Sequence, residues 1–180
     1  MVELDDLSII TQVREGNVDA FALIVERHQQ TIFNLAFHMI GNEEDARDLT
    51  QEIFIRAFVN LDKVDPQYKF FSWLYRLGLN HSLDYLRQRR SFVPLEEMAV
   101  KNGFGQDEYM YHQGKSRNVR KAIRSLKPKY RLLIVMKYYS AMSYDQISSI
   151  TGIPEARVKS RLFEARQMLR KFLNSMPDNV

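Results

Sequence analysis

The segment from Ser143 to Arg166, SYDQISSITGIPEARVKSRLFEAR, constrains the fold of this chain more than any other. Ser143 and Gln146 have the spacing of a capping box at the start of a helix, and Gly152 supplies the left-handed turn that would end it. Pro154 suits the start of a second helix, because its missing N–H would be unpaired there anyway. Apolar residues recur at helical spacing on the side that the pair would bury, namely Ile147, Ile150, Ile153, Val158 and Leu162. The segment therefore predicts a helix-turn-helix.

The second predicted helix leaves a row of polar and basic side chains on its outer face, namely Arg157, Lys159, Ser160, Arg161 and Arg166. In helix-turn-helix proteins the N-terminal part of the second helix enters the major groove, where such groups meet phosphates and base edges. The alternative is a helical hairpin with a solvated basic face. We favour DNA binding, because the capping box, the turn glycine and the cations fall together at the required offsets.

Charge is divided unevenly along the chain, whose formal net charge is +4. Residues 1–118 contain 13 Lys+Arg and 18 Asp+Glu, whereas residues 119–180 contain 13 Lys+Arg and only 4 Asp+Glu. The basic C-terminal third is suited to a polyanion. Residues 1–60, with 4 Lys+Arg and 11 Asp+Glu, would repel nucleic acid and are better suited to a basic protein surface.

The absence of cysteine excludes disulfides and thiolate zinc sites and fits a reducing compartment. No apolar run approaches the roughly 18 to 20 residues that span a bilayer, and the N-terminal segment MVELDDLSII is acidic where a signal peptide would be basic. We expect a soluble cytoplasmic protein with no membrane insertion.

Hydrophobic periodicity predicts an all-α chain of two small domains. Residues 1–90 hold four predicted helices, over residues 4–15, 19–40, 43–60 and 70–90, which make one small bundle. Residues 91–117 lose the pattern and are interrupted by proline and glycines, which predicts a flexible linker. Helical spacing returns with Val119, Ile123 and Leu126, and the second domain spans residues 118–175.

The predicted helix over residues 70–90 combines aromatic residues, which we expect to be exposed, with cations and an asparagine. The aromatics are Phe70, Trp73 and Tyr75, and the polar residues include Arg76, Asn80, His81, Arg87, Arg89 and Arg90. Base stacking on an aromatic is worth roughly 1 to 3 kcal/mol, and arginines neutralise the accompanying phosphates. The helix therefore favours single-stranded nucleic acid, with Trp73 expected to serve the core in part.

Signals for catalysis are weak. The histidines are scattered, and there is no HExxH motif, no carboxylate set at metal-ligand spacing and no Gly-rich phosphate loop. We predict no catalytic residues, no metal site, no cofactor and no enzyme activity.

The segments ARDLTQEIFIRAF (46–58), DKVDPQYKFFSWLYRLGLN (62–80) and the helix-turn-helix occur in that order, with a linker before the last. Together they resemble the bacterial RNA polymerase sigma factors of the extracytoplasmic-function (ECF) group, sigma-70 family group IV, which contain only sigma regions 2 and 4. The resemblance covers most of the chain. It implies that residues 1–90 are the region 2 bundle and residues 118–175 are region 4. The implied function is promoter-specific transcription initiation, under the control of an anti-sigma factor and typically in a stress response.

The resemblance also assigns residues to three contacts. The helix matching D-L-T-Q-E-x-F would bind the beta-prime clamp helices of core RNA polymerase through Asp48, Gln51, Glu52, Ile55 and Arg56. The minus-ten element of the displaced strand would be melted and read by Asp62, Lys63, Val64, Lys69, Phe70, Trp73, Arg76, Asn80 and Arg87. The minus-thirty-five element would be read as duplex by Pro154, Glu155, Arg157, Lys159, Ser160, Arg161 and Arg166. Region 4 in this family also touches the beta flap.

Two other functions remain open at this point. One is an autonomous transcriptional regulator whose N-terminal bundle is a sensor or dimerisation domain. Such a regulator has little use for a stacking platform beside a basic helix, and it should dimerise on a two-fold site. The other is a nucleic-acid-processing enzyme, which would require ligand or nucleophile spacings that the sequence lacks.

Overall fold

The computed structural model describes residues 4–65, 69–92 and 113–175. Regular structure in these ranges is helical throughout, as the sequence predicts. The α-helices are α1 (Asp6–Arg14), α2 (Phe21–Ile40), α3 (Glu43–Val59), α4 (Phe70–Phe92), α5 (Gln113–Ser125), α6 (Pro128–Ile134), α7 (Tyr144–Thr151) and α8 (Glu155–Asn174). Most of the predicted linker lies outside the described residues, and α4 and α5 each extend a few residues into its two ends.

The first four helices form the predicted N-terminal bundle. Gly41 ends α2 with a φ of 78°, in the left-handed region that a glycine adopts without strain. The side chain of Asn42 then accepts a hydrogen bond from the backbone N–H of Asp45 at 3.0 Å, which caps α3. Apolar residues that recur at helical spacing are buried, including Ile24, Ile32, Leu35 and Met39 on α2 and Ala46, Leu49, Ile53 and Ala57 on α3.

The C-terminal helices α5 to α8 form a second domain around the helix-turn-helix. The capping box of Ser143 and Gln146 is present in both directions, and Gly152 ends α7 with a φ of 70°. Ile147, Ile150, Val158 and Leu162 are all buried, as their spacing predicts. Two details of the prediction are wrong. Val119 is 38% exposed, because α5 turns it away from the core, and Pro154 is the N-cap of α8, which begins one residue later.

The two domains are docked against each other, and their buried residues form one continuous hydrophobic core. The imidazole of His38, near the end of α2, stacks on Tyr139 with ring centroids 3.5 Å apart. Burial, aided by the charge of Arg120, lowers the pKa of His38 to about 4. The hydroxyls of Tyr75 on α4 and Ser140 share a hydrogen bond of 2.8 Å, and burial raises the pKa of Tyr75 to about 12.

A buried arginine also joins the domains. The guanidinium of Arg131 on α6 donates to the carbonyl of Met39 in the last turn of α2 and to that of Arg124 in the last turn of α5. It also donates to the carbonyl of Leu126 at 3.2 Å. Carbonyls at helix C-termini carry partial negative charge, so they stabilise a cation that is removed from water. The single side chain of Arg131 therefore caps the C-terminal ends of α2 and α5, which belong to different domains.

Candidate nucleic-acid interface

The helix-turn-helix presents the cationic surface that the sequence predicts. Arg157, Lys159 and Ser160 are exposed on the first turns of α8, and Arg161 is half-buried. The ammonium of Lys159 lies 2.5 Å from the carboxylate of Glu155, and this contact raises the pKa of Lys159. These groups lie at the N-terminal end of α8, where a recognition helix would meet base edges and phosphates.

Two further contacts support this surface from beneath. The ring of Tyr144, at the start of α7, lies between two ammonium groups, with Lys137 Nζ at 4.6 Å and Lys159 Nζ at 5.4 Å from its centroid. Arg166 donates to the hydroxyl of Tyr138 at 3.3 Å. Arg166 is exposed and lies more than two turns farther along α8 than Arg157.

The predicted minus-ten residues begin on a short 3-10 turn, Leu61–Lys63, which follows α3. Leu61 and Val64 are buried, whereas Asp62 and Lys63 are exposed between them. Lys63 donates from Nζ to the side chain of Asn60 at 2.7 Å. Lys69, just before α4, is also exposed. The turn thus offers one acidic and one basic side chain to solvent.

Helix α4 continues this surface. Trp73, Arg76, Asn80 and Arg87 recur at helical spacing along one side, and the last three are exposed. Arg87 pairs with Asp84 at 2.7 Å. The expectation that Phe70 and Tyr75 are exposed is wrong, because both belong to the core, at 2% and 0% exposure. The Phe70 ring instead supports Trp73, which is half-buried, with centroids 5.7 Å apart.

Part of the α4 surface is engaged by the second domain. Arg76 donates through Nε to the carbonyl of Ile150 at 2.8 Å and through Nη2 to that of Ser149 at 2.6 Å, in the last turn of α7. A groove of about 340 Å³ lies beside this contact, lined by Arg76 and Asn80 on one side and by residues 151–153 of the turn on the other. The α4 surface therefore borders the turn between α7 and α8 at this groove.

The outer face of α3 is a separate candidate surface. Asp48, Gln51, Glu52, Ile55 and Arg56 are exposed and share this face at spacings of three and four residues. Ile55 is 63% exposed, and Val59, one turn farther on, is 71% exposed. An apolar pair flanked by acidic residues is suited to a protein partner rather than to DNA.

Sequence reasoning missed several residues that shape these surfaces. Val59 lies four positions after Ile55 on the outer face of α3, so extending the helical spacing from Ile55 would have identified it. Arg14, whose guanidinium contacts the turn after α3, and Arg131 carry no local signal, because a single arginine on a helix does not reveal its distant partners. In the described ranges no group of histidine and carboxylate side chains could hold a metal ion, and no helix is long and apolar enough to cross a membrane.

Comparison with protein families matches both domains. A model described as Sigma-70 region 2 matches residues 24–92, and one described as Sigma-70, region 4 matches residues 116–169. The chain is 36% identical to the ECF RNA polymerase sigma factor SigW of Bacillus subtilis, over 93% of this chain and 96% of that protein. It is 32% identical to the ECF RNA polymerase sigma factor SigE of Mycolicibacterium smegmatis, over 96% of this chain and 70% of that protein.

Solved structures share the fold across both domains. CnrH, solved in complex with the cytosolic domain of CnrY, superposes with a TM-score of 0.72 at 25% identity, covering 94% of this chain and 97% of CnrH. The sigma factor RpoE of Bartonella quintana, solved with the anti-sigma factor NepR, gives a TM-score of 0.69 at 20% identity, covering 87% of this chain and 98% of RpoE. The likeness extends over both helical domains.

Proposed function

This chain belongs to the extracytoplasmic-function sigma factors of the sigma-70 family, and from that premise we propose how its surfaces divide the work of initiation. As a sigma factor it directs promoter-specific transcription by core RNA polymerase. The proposed division is residues 1–90 for region 2, 91–117 for the linker and 118–175 for region 4. The matched ranges 24–92 and 116–169 support that division.

The single observation that carries the assignment is the match of both helical domains to sigma regions in the expected order. It favours a sigma role over an autonomous regulator, because the N-terminal bundle matches region 2 instead of a sensor or dimerisation domain. The protein acts as a specificity subunit in the cytoplasm and has no catalytic activity of its own.

The α3 surface is the proposed site for core polymerase. Asp48, Gln51, Glu52, Ile55 and Arg56 would meet the beta-prime clamp helices. The exposed Ile55 supplies the apolar centre of the contact, and the surrounding acidic side chains fit the net negative charge of residues 1–60. Region 4 would add a second contact, with the beta flap.

The 3-10 turn and α4 form the proposed minus-ten site. Asp62 and Lys63 would meet the element on the displaced strand together with Lys69, Trp73, Arg76, Asn80 and Arg87. The expected contact of Val64 does not fit its burial at 4% exposure, so Val64 would anchor the turn, and the buried Phe70 would support Trp73 from beneath. Taking a base out of the stack costs a few kcal/mol, which stacking and pocket contacts have to offset. An asparagine with a free amide suits a base edge, and Asn80 is exposed beside the groove.

The helix-turn-helix is the proposed minus-thirty-five site. Pro154 and Glu155 lie at the start of the recognition helix α8. Arg157, Lys159, Ser160 and Arg161 would enter the major groove of the DNA, and Arg166 would approach the DNA backbone. The net positive charge of residues 119–180 contributes an electrostatic attraction to DNA. This attraction does not depend on base sequence and weakens as the salt concentration rises.

An anti-sigma protein is the proposed regulatory partner. CnrH, which superposes over both domains of this chain, was solved in complex with the cytosolic domain of another protein. A partner that holds Arg76 against the end of α7 would keep the proposed minus-ten surface from a promoter.

Run-off transcription tests the proposal. Core RNA polymerase is given promoter-bearing genomic fragments with and without this protein. New discrete transcripts that need both components are expected, and their start sites define both promoter elements. Tight duplex binding without polymerase and without any new transcript would favour the autonomous regulator instead.

A second experiment tests the minus-ten site. Replacing Asn80 or Trp73 by alanine should impair open-complex formation, read by permanganate footprinting of unpaired thymines, more than closed-complex affinity. Equal losses in the two measurements would remove both residues from strand reading. Trp73 is half-buried, so Asn80, which is exposed, is the cleaner variant of the two.

A further inference from the structure

Arg14, in the last turn of α1, contacts the turn that follows α3. Its Nη2 donates to the carbonyl oxygens of Leu61 and Val64, the second at 2.9 Å. Its Nε lies 3.9 Å from a carboxylate oxygen of Asp62. Two of these three partners are backbone atoms, so the contact depends on the shape of the turn and only weakly on its side chains.

The turn is closed by its own hydrogen bonds. The backbone N–H of Lys63 donates to the carbonyl of Asn60 and that of Val64 to the carbonyl of Leu61, both at 3.0 Å, but neither bond ties the turn to another helix of the bundle. The side chains of Leu61 and Val64 are buried, each at 4% exposure, while Asp62 and Lys63 face solvent. Arg14 therefore ties together the two ends of a segment whose middle residues are presented outward.

We propose that Arg14 is a positioning residue for base selection at the minus-ten element. This inference rests on the proposed function, in which Asp62 and Lys63 meet that element. By holding the carbonyls of Leu61 and Val64, Arg14 fixes the direction in which the two exposed side chains leave the turn. Without it the turn samples more orientations, and contacts that distinguish one base from another lose more than contacts to the backbone.

The chemistry of the contact suits arginine. Both carbonyls are bonded by Nη2, whose two hydrogens have directions fixed by the planar guanidinium, whereas the donors of a lysine ammonium rotate freely on a flexible stem. The approach to Asp62 contributes little, because that carboxylate is 93% exposed and its charge is screened by water. The bonds to the two carbonyls are therefore the part of the contact that positions the turn.

The test uses holoenzyme assembled from core RNA polymerase and the full-length protein. A promoter mapped by run-off transcription is randomised over its minus-ten element, and the bound fragments are sequenced after selection. The variants are Arg14→Ala, Arg14→Lys, Lys63→Ala and Asp62→Ala. The matched control is Arg27→Ala, which also removes an arginine bonded to a backbone carbonyl of the same domain, that of Leu4, but lies away from the turn.

Loss of two hydrogen bonds predicts that Arg14→Ala weakens enrichment by roughly tenfold at the positions that Lys63→Ala or Asp62→Ala also affects. Arg14→Lys should fall between Arg14→Ala and the wild type, and Arg27→Ala should match the wild type. Affinity for core polymerase and for a minus-thirty-five duplex should not change in any of them. These two affinities also report whether each variant is folded. If Arg14→Ala does not fold, the comparison of Arg14→Lys with the wild type tests the role of Arg14.

Wild-type enrichment with Arg14→Ala, beside a loss with Lys63→Ala, would overturn the role of Arg14 and leave the proposed function intact. Equal losses in minus-ten selection, core affinity and duplex affinity would make Arg14 a general structural residue. No selection by the wild type, or none that depends on Asp62 or Lys63, would instead refute the minus-ten assignment itself.

Discussion

The two surfaces proposed to meet promoter DNA differ in what already contacts them. On α8, Arg157 and Ser160 are exposed and lie within one domain. On α4, Arg76 donates two hydrogen bonds to the end of α7, and Asn80 lines the groove between the domains. The first surface is open in the docked molecule, whereas the second is engaged by the other domain.

Under the proposed assignment of the two sites, the two promoter elements would require different arrangements of one protein. A duplex can reach the N-terminal end of α8 while the domains remain docked. A displaced strand that is to use Arg76 has to replace the carbonyls of Ser149 and Ile150 as partners of its guanidinium. With Arg76 in the proposed minus-ten site, separation of the domains would be coupled to reading of that element.

The largest expected effect comes from breaking the docked state at Arg131. Arg131→Ala leaves the carbonyls of Met39, Arg124 and Leu126 without this donor in a buried site, which we expect to cost about 3 kcal/mol of unfolding free energy. Urea denaturation measures the loss, and small-angle X-ray scattering should show a larger radius. Arg131→Lys should be intermediate. An unchanged urea midpoint and radius would mean that Arg131 does not hold the domains together.

Lowering the pH should reduce the unfolding free energy through His38, which packs against Tyr139 of the second domain. The pKa of His38 is about 4 in the folded protein, against 6.5 for an ordinary histidine such as that of the unfolded chain. At a pH between these values the unfolded chain binds a proton that the folded protein does not. Stability therefore falls as pH is lowered from 6.5 towards 4, by about 1.4 kcal/mol per pH unit, and is independent of His38 above 6.5. By pH 5 the loss is about 2 kcal/mol.

The measurement is the free energy of urea unfolding at several pH values. The control is His38→Gln, which cannot take up the proton and should remove this part of the slope. Parallel pH profiles for the variant and the wild type would show that other groups cause the acid sensitivity.

A smaller effect on docking of the domains is expected from Arg76. Arg76→Ala removes two hydrogen bonds between the domains and should favour the separated state by about 1 kcal/mol, because the side chain is exposed. Arg157→Ala is the matched control and should leave docking unchanged. Fluorescence energy transfer between dyes on the two domains measures docking. An equal response of the two variants would remove the distinction between the surfaces.

The smallest effect is expected from Arg157 itself. Arg157→Ala should reduce the salt slope of duplex binding by about one if the guanidinium holds a phosphate. It should leave the unfolding free energy within about 0.5 kcal/mol of the wild type, since it is a surface substitution. The slope is read from binding titrations at several salt concentrations. A slope unchanged from the wild type would place Arg157 away from the DNA backbone.

Local patterns predicted most of the fold because the forces behind them are local. The capping box of Ser143 and Gln146 and the left-handed turns at Gly41 and Gly152 involve residues within four positions of each other. The docking of the domains could not be found in this way. It involves side chains such as Arg131, which carries no periodic or capping signal, and partners far away in the sequence such as Met39.

The candidate site was predictable to a similar degree. The cations of α8 were found because they lie opposite a buried stripe at helical spacing, whereas the exposed residues of α3 were assigned through the family resemblance. The exposure of Phe70 and Tyr75 was predicted wrongly, because an aromatic residue next to cations has the same sequence pattern whether it stacks on a base or fills a core. Arg14 was missed because its partners are backbone carbonyls, which any sequence supplies.

Arg131 also limits how this protein can be recombined with its relatives. Its guanidinium caps α2 of the first domain and α5 of the second, so a chimera joined within residues 93–112 separates a helix end from the donor that completes it. A replacement second domain with a shorter side chain at this position would leave the Met39 carbonyl exposed to solvent or unpaired. The second domain can consequently be replaced without loss only if the replacement also has an arginine at the position of Arg131.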